Sequence, residues 1–318
     1  MKVWIENSSQ PIDKLNGKSL FCRRLGDQLK TMGVTIVDGE SPADISINVI
    51  RLKHHRSKVK ILRIDGVWHD TAKNFIQKNK AISDSVKRAD GIIFQSEFAR
   101  NMGEKYLVKA KCPTTVIFNG SDPRIYNNAS SVEFDKKYIF VAISKWRPHK
   151  RLKDIIESFI LANIDNSRLL ILGNTEKCGM TRSEFEGYVN RDDIDYLGSL
   201  PQSMLIPVIK GVAASIHLCW FDACPNSVVE AICAGVPVIT NNVGGTWEIV
   251  APSGGYVCDI DSPYDLNPVD LYHPPKIDRN KVAEAMRKCV SNRPKITCEH
   301  VDIRNVARQY LDFMESLL

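Results

Sequence analysis

The sequence of 318 residues lacks the segments that would place it outside the ordinary globular proteins. No apolar run approaches the roughly 20 residues of a membrane-spanning helix, so no such helix is expected. The start, MKVWIENSSQ, has an apolar stretch too short for a signal peptide and is typical of a strand. Repeats of short period and low-complexity tracts are also missing, which excludes a repeat architecture.

Paired cysteine motifs are absent as well. The nine cysteines are scattered without a C-x-x-C pair, and their number is odd. Without a secretory signal, this favours reduced and mostly buried thiols in a cytosolic compartment. Cys219 and Cys233 stand in apolar runs and are predicted to lie in the core.

Positive charge is only modestly in excess, with a formal net charge of +6. A dedicated nucleic-acid binder usually shows a stronger basic stripe, so no nucleic-acid partner is expected. The balance suits an anionic small ligand or an anionic surface. Hydrophobic residues at 43% and charged residues at 25% are typical of a soluble globular protein.

Short apolar runs alternate with amphipathic stretches along almost the whole chain. This alternation predicts parallel sheets covered by helices on both faces. The segment NGSDPRIYNNASS, 119–131, interrupts it without periodicity and is interpreted as an interdomain linker. The sequence therefore predicts two doubly wound α/β domains, with a ligand in the cleft between them, beyond the carboxyl ends of the strands.

One mostly apolar segment, FDACPNSVVEAICAGVPVIT, contains two acids, Asp222 and Glu230. Pro225 suits the first position of a helix, and Gly235 suits its end. The N–H groups at such a helix start form an anion site that fits a diphosphate.

The predicted helix has two faces. Val229 and Cys233 share a face that is expected to pack on the sheet, while Asn226 and Glu230 share another. Glu230 is therefore expected beside the helix start rather than in the core. Taken alone, the segment is equally compatible with Asp222 as a helix cap and Glu230 as a solvated acid.

This segment resembles the signature of the retaining, nucleotide-sugar-dependent glycosyltransferases of family 4. Their two Glu, eight positions apart, lead into EAMACGLPVI and then a Gly-Gly-x-x-Glu. Here the pattern stands as Asp222 and Glu230, EAICAGVPVI and GGTWEIV. Other segments that resemble the family are VAISKWRPHKRLKDIIESF, LLILGN, IDYLGSLP, ADGIIFQSEFAR and VIFNGSD. The resemblance covers most of residues 90–260 and is looser before residue 90.

The resemblance implies the GT-B architecture, in which two doubly wound Rossmann-like domains face a cleft. Residues 1–130 would form the acceptor-side domain and residues 131–300 the nucleotide-sugar-binding domain. Residues 301–318 would be a helix that packs back towards the first. The implied activity moves a sugar from a nucleoside-diphosphate sugar to an acceptor hydroxyl, with retention. The acceptor would be a glycan, a glycoconjugate or a lipid.

The resemblance also implies a front-face displacement in which the leaving phosphate takes the acceptor proton. No cofactor and no metal are expected. The protein would be cytoplasmic, with contact to a membrane surface left open.

Site residues follow from the matching positions. Glu230 would bind the donor ribose, Asp222 hydroxyls of the transferred sugar, and Lys150 the diphosphate. The family's arginine five positions before that lysine is replaced by Lys145, with Arg147 nearby, and either side chain could take its role. Lysine keeps the charge but loses the bidentate fork. The N–H groups expected to hold phosphate are those of Asn226, Ser227, Val228 and Val229.

In the first domain, His69 resembles the family's histidine that contacts the transferred sugar. The stretch Asn16, Gly17 and Lys18 would let the backbone approach the donor phosphates, although an ordinary loop before a helix fits it equally well. The stretch RLKHHRSKVK is interpreted as a solvated loop; the alternative is an acceptor-side patch for an anionic saccharide, lipid or membrane surface. Its two adjacent histidines lack a third ligand, so they do not indicate a metal site.

The acidic runs 193–195 and 259–261 are interpreted as turn acids rather than metal ligands. The basic residues assigned above would then stabilise the leaving phosphate in place of a metal.

Two other functions stay open. One is a nucleotide-sugar isomerase on the same scaffold. The other is a non-catalytic subunit that binds nucleotide sugars, which the departures at Asp222 and Lys145 would support.

Overall fold

The computed structural model describes residues 1–9 and 17–318, so Asn16 lies outside the described residues. The described chain divides into two compact units. The first unit consists of Met1–Ser121, Asp265–Val269 and Glu299–Leu318; the second consists of Asp122–Tyr264 and Asp270–Cys298.

The described part of the first unit contains a six-stranded sheet with the order β2-β1-β3-β4-β5-β6. Its strands are β1 (Lys2–Ile5), β2 (Thr35–Val37), β3 (Ala43–Val49), β4 (Ser57–Ile64), β5 (Gly91–Phe94) and β6 (Thr114–Val116). Its helices are α1 (Gly17–Thr31), α2 (Phe75–Val86), α3 (Glu97–Tyr106) and, at the end of the chain, α11 (Ile303–Glu315). The side chains of Asn74 and Ser96 cap α2 and α3, because each accepts a hydrogen bond from a backbone N–H in the first turn of its helix. Asparagine and serine are preferred at this position.

The core of the first unit forms where α1 and α11 cover one face of this sheet. Alternate strand residues point to the same face, so Ile47 of β3 lies beside Ile61 of β4, and both are fully buried. Helix α1 contributes Phe21, and α11 contributes Val306 and Tyr310. The last helix thus fills the core of the unit in which the chain begins.

A short return segment, Asp265–Val269, joins the first unit although its sequence neighbours belong to the second. The backbone N–H of Val269 donates to the carbonyl of His69 at 3.1 Å. The Tyr106 hydroxyl donates to the carbonyl of Leu266 at 2.6 Å. The segment therefore contacts the loop that carries His69, which the sequence analysis does not foresee.

The second unit repeats the design, with the strand order β12-β11-β10-β7-β8-β9 in its described sheet. Its strands are β7 (Tyr138–Ile143), β8 (Ser167–Leu172), β9 (Ile194–Gly198), β10 (Ala214–His217), β11 (Val238–Asn241) and β12 (Tyr256–Cys258). Its helices are α4 (Pro123–Asn127), α5 (Leu152–Ala162), α6 (Arg182–Val189), α7 (Gln202–Lys210), α8 (Asn226–Cys233), α9 (Thr246–Ser253) and α10 (Arg279–Ser291). Helix α4 lies within the aperiodic segment interpreted as a linker.

All strand pairs within both sheets are parallel, which confirms the predicted fold class of two doubly wound α/β units. The nine cysteines carry free thiols, and seven of them are buried, including Cys219 and Cys233, as predicted. In the described ranges, no helix is both long enough and apolar enough to cross a membrane.

Candidate active site

The candidate site lies at the carboxyl edge of the second unit's sheet. Because the strands are parallel, the loops that follow them emerge at this one edge. The loop after β7 carries Lys150, the loop after β10 carries Asp222, and the loop after β11 carries Gly244. The fold therefore gathers residues that are far apart in the sequence.

The central contact is an ion pair between Lys150 and Asp222. The Nζ atom of Lys150 lies 2.5 Å from Oδ2 of Asp222, and the two side chains are 18% and 22% exposed. A single 3-10 turn, Pro148–Lys150, presents the lysine directly before α5. The backbone N–H of Trp220 donates to the carbonyl of His149 at 2.8 Å, which ties the two loops together.

The pair keeps both groups charged. Burial disfavours the charged form of each side chain, but the attraction between them outweighs that cost. As a result the pKa of Lys150 is raised above its usual range, and the pKa of Asp222 is held well below its own. The site thus presents a fixed ammonium group at neutral pH.

His217 completes this cluster and was not singled out by the sequence analysis. It is the last residue of β10, 6% exposed, and its Nε2 lies 3.6 Å from Oδ2 of Asp222. Burial lowers its pKa, and the nearby Lys150 ammonium acts in the same direction. The ring therefore stays neutral beside the ion pair. Its only sequence signal is a histidine at the carboxyl end of an apolar strand.

The ligand atoms of His217, Cys219 and Asp222 lie within 4.8 Å of one another and form a group that could hold a metal ion. Burial raises the pKa of the Cys219 thiol to about 11, so the thiolate that a metal needs is disfavoured. The Lys150 ammonium is already paired with the carboxylate. A metal would have to displace that ammonium, so the donor set fits a cation poorly.

The Gly-Gly pair of the signature supports the backbone of Asp222. The N–H of Gly245 donates to the carbonyl of Asp222 at 2.7 Å. Gly244 has φ +76°, and a Cβ there would lie 3.0 Å from the Asp222 carbonyl oxygen and 3.1 Å from its nitrogen. Glycine therefore allows the loops after β10 and β11 to approach each other closely.

Helix α8 starts at Asn226, with Pro225 as its N-cap rather than its first residue. The N–H groups of Val228 and Val229 donate to the carbonyl of Pro225 at 3.1 and 3.2 Å. A phosphate at the helix start would have to share these two donors with that carbonyl. Asn226 and Ser227 stand at the very start of the helix.

Glu230 is buried, with 5% of its surface exposed, so the expectation that it lies outside the core is wrong. The physical reason is that α8 packs against α9 as well as against β10 and β11, so it has neighbours beyond the sheet. Its neighbours Val228, Val229 and Ala231 are equally buried. Glu230 is a buried carboxylate one turn from the helix start.

Lys145 and Arg147 flank a buried anchor, Trp146. The indole Nε1 donates to the carbonyl of Leu172 at 2.9 Å, which fixes the loop after β7. On either side of it, Lys145 is exposed and Arg147 is half-buried. The structure therefore places both cations on the same loop as Lys150.

Residues 125–268 match the family model described as Glycosyl transferases group 1. This stretch contains Lys150, Asp222, Glu230 and the Gly-Gly pair. The stretch that holds the candidate site therefore resembles a group 1 glycosyltransferase domain. No curated protein sequence matches the chain significantly.

Solved structures resemble the protein over nearly its whole length. The UDP complex of HepE from Anabaena is 12% identical, with a TM-score of 0.67 and 99% of each chain covered. Sucrose-phosphate synthase from Thermosynechococcus elongatus is 14% identical, with a TM-score of 0.60, and covers 99% of this chain and 94% of that one. A glycosyltransferase from Rickettsia africae is 13% identical, with a TM-score of 0.61, and covers 99% and 98%. These likenesses confirm the GT-B fold class.

A second, fully buried ion pair involves Arg151, the residue that follows Lys150. The guanidinium of Arg151 donates to both oxygens of Asp261, at 2.8 and 2.6 Å, and the two side chains are 0% and 1% exposed. The Asn241 amide also donates to Asp261 at 3.1 Å. The interpretation of Asp261 as a turn acid is therefore wrong: it anchors the residue after Lys150 to the loop after β12.

The remaining predicted site residues lie in the first unit. His69 follows β4, and its Nδ1 lies 3.3 Å from the carbonyl of Val67. Burial lowers the pKa of His69, against the opposing effect of that carbonyl, so the ring stays neutral. Gly17 and Lys18 form the first residues of α1, on the carboxyl side of β1.

Proposed function

We propose that the protein transfers a sugar from a nucleoside-diphosphate sugar to an acceptor hydroxyl, with retention of the anomeric configuration. The observation that carries this proposal is the ion pair of Lys150 with Asp222 at the carboxyl edge of the second sheet, beside the start of α8. Both partners lie in the stretch that matches the glycosyltransferase domain.

The donor diphosphate is assigned to Lys150 and the start of α8. A helix N-terminus favours negative charge, and Asn226 and Ser227 are its first two residues. Lys150 adds a fixed ammonium that stabilises the charge developing on the leaving phosphate. Lys145 and Arg147, on the same loop, are the candidates for a second cation.

The two carboxylates are assigned to hydrogen bonds with the two sugars of the donor. Glu230, buried one turn into α8, accepts hydrogen bonds from the ribose hydroxyls. Asp222 uses Oδ2 to hold Lys150, which leaves Oδ1 to accept from a hydroxyl of the transferred sugar. His69 is the first-unit candidate for a hydrogen bond to that sugar, and Gly17 and Lys18 are the candidates for contact with the phosphates.

The reaction breaks the bond between the anomeric carbon and the phosphate oxygen and forms a bond from that carbon to the acceptor oxygen. The acceptor proton passes to the leaving phosphate on the same face of the sugar. Lys150 and its neighbours supply the positive charge, and no metal is required. The acceptor is a glycan, a glycoconjugate or a lipid, which leaves room for contact with a membrane surface.

UDP-sugars are the first donors to test. HepE was solved with UDP-glucose, and the trehalose-6-phosphate protein from Escherichia coli was solved with UDP-2-fluoro glucose. The experiment incubates the protein with UDP-, GDP- and ADP-sugars and measures nucleotide release with and without candidate acceptors. The linkage of the product is then determined by NMR.

Release that depends on an acceptor, with a retained anomer, supports the proposal. An inverted anomer contradicts retention. A changed sugar without nucleotide release indicates isomerisation instead, and binding without turnover indicates a non-catalytic subunit.

A further inference from the structure

A basic pocket lies in the first unit, and it is lined in part by the stretch RLKHHRSKVK rather than by the residues assigned to the donor. Its volume is about 320 Å³. The residues that line it are Leu52, Lys53, His54, His55, Lys60 and Arg88. All but one of them carry a basic side chain, so the pocket selects for negative charge.

The pocket lies beside β4 and the loop that precedes it. Lys60 stands in the first half of β4, and Arg88 lies between α2 and the start of β5. Leu52, Lys53, His54 and His55 belong to the loop between β3 and β4. The described residues that line the pocket do not include His69, Gly17 or Lys18.

His55 provides the observation that points to a ligand. Its side chain is 8% exposed and stacks on the indole of Trp4, with ring centroids 4.5 Å apart and planes 9° from parallel. Neither ring nitrogen has a hydrogen-bond partner in the described part of the chain. Buried polar groups in proteins are nearly always paired. An imidazole N–H that lacks a protein partner can donate to an oxyanion.

Lys60 and Arg88 add positive charge that the described residues leave without an ion pair. The backbone N–H of Lys60 donates to Asp90 at 2.8 Å, and Nε of Arg88 donates to the carbonyl of Asp84 at 3.0 Å. These bonds fix the chain around the pocket. The Lys60 ammonium and the terminal nitrogens of Arg88 stay available for a ligand.

Three acids lie near the pocket and do not neutralise it. The carboxylate of Asp90 accepts the backbone N–H of Lys60. Glu6 is 3.8 Å from the Lys53 ammonium, and that lysine is 54% exposed. Asp38 lies within electrostatic range of His55, and its carboxylate accepts the N–H groups of Glu40 and Ser41. Cations remain in excess around the cavity.

We propose that this pocket binds a phosphate group, either as inorganic phosphate or as a phosphomonoester. A compact dianion with several acceptor oxygens matches an arginine fork, a lysine point charge and an imidazole at once. The volume holds the group together with a small substituent. The site goes beyond the proposed glycosyl transfer, because none of its residues takes part in that reaction.

The test follows the histidine signals of ¹³C-labelled protein by NMR during a titration with inorganic phosphate. A His55→Gln variant assigns the His55 signal. We expect a saturable shift of that signal, and a dissociation constant at least tenfold higher in the double variant Lys60→Gln, Arg88→Gln. The control is the double variant Lys58→Gln, Lys87→Gln, which removes the same charge from residues outside the pocket and should bind like the parent protein.

The His217 signal reports phosphate at the proposed donor site separately. A shift confined to His217, or an equal loss of binding in both double variants, overturns the proposal. A second arm uses phosphatidylcholine vesicles with and without phosphatidic acid, in a sedimentation assay. If inorganic phosphate leaves His55 unchanged, binding to phosphatidic acid that requires Lys60 and Arg88 supports a lipid headgroup as the source. Failure of both arms overturns the site.

Discussion

The Nζ atom of Lys150 lies 2.5 Å from Oδ2 of Asp222, although the two residues are 72 positions apart in the sequence. The contact joins the loop after β7 to the loop after β10, and it fixes the charge of both groups. The acid that begins the signature segment is therefore also the partner of the lysine assigned to the diphosphate. Asp222, one methylene shorter than the glutamate of the signature that this segment resembles, therefore pairs with Lys150.

Replacing Lys150 with methionine should lower kcat/KM by about 10² to 10³, the range seen when one charge-stabilising donor is removed. The change also leaves Asp222 buried without its partner, which should destabilise the protein by about 3–5 kcal/mol. The double variant Lys150→Met, Asp222→Asn should recover stability but not rate. Steady-state kinetics and urea unfolding separate the two effects.

The control for this prediction is Lys153→Met, which removes an exposed lysine paired with Glu184. Its rate and its free energy of unfolding should stay close to those of the parent protein. A Lys150→Met variant with full activity would remove the lysine from the phosphate role.

The ion pair should stabilise the protein over a wide pH window. The raised pKa of Lys150 contributes stability that is complete below the unfolded value of about 10.4 and is lost as pH rises through the folded value. The lowered pKa of Asp222 contributes stability that is present above about 3.9 and is lost as pH falls through its folded value.

The measurement is the difference in unfolding free energy between the parent protein and the Lys150→Met, Asp222→Asn variant, followed by urea denaturation from pH 3 to 10. This difference should be constant from about pH 5 to 9 and change only towards the two ends. A change centred near neutral pH would show that another group, such as His217, controls it.

The charge of Lys150 should become sensitive to pH once Asp222 is neutral. In Asp222→Asn, burial still disfavours the ammonium but the opposing carboxylate is gone, so the pKa of Lys150 falls relative to the parent. The alkaline loss of kcat/KM should therefore begin at a lower pH than in the parent protein. Asp222→Glu keeps the negative charge and should keep the parent profile; identical profiles in all three proteins would contradict the coupling.

Local sequence patterns account for most of the fold and for part of the site. The alternation of apolar runs with amphipathic stretches predicts both parallel sheets because burial on two faces leaves that periodicity in the sequence. The signature segment likewise identifies Asp222 and the loop after β10, since strand ends and helix starts are local features.

Long-range pairing cannot be predicted in this way. Arg151 was one of several basic residues before a helix, and Asp261 one of several acids after a strand; only the folded chain shows that they form a buried pair. His217 stands in an apolar strand with no local sign of its contact with Asp222. The burial of Glu230 accompanies the packing of α8 against α9, a long-range contact that the local sequence pattern does not reveal.

Gly244 should be required for activity as well as for stability. Alanine there combines an unfavourable positive φ of +76° with a Cβ 3.0 Å from the Asp222 carbonyl, so the Asp222 loop must shift. The matched control is Gly235→Ala, where φ is +71° but a Cβ meets no atom within 4 Å. Both variants should lose about 1 kcal/mol of stability from backbone strain. Only Gly244→Ala should lose activity, by tenfold or more, and equal activity in the two would contradict the support of Asp222 by this loop.

Glu230 should determine nucleotide affinity rather than the rate of the chemical step. Glutamine keeps the volume of the buried side chain but removes its charge, so the loss of charged hydrogen bonds to the ribose should weaken UDP binding by about 10- to 100-fold. Alanine would also open a cavity, which is why glutamine is the sharper change. Calorimetric titration with UDP measures the affinity, and Glu186→Gln, an exposed acid paired with Arg182, is the control. Unchanged affinity in a folded Glu230→Gln protein would assign this carboxylate to the packing of α8 against α9 instead of to the ribose.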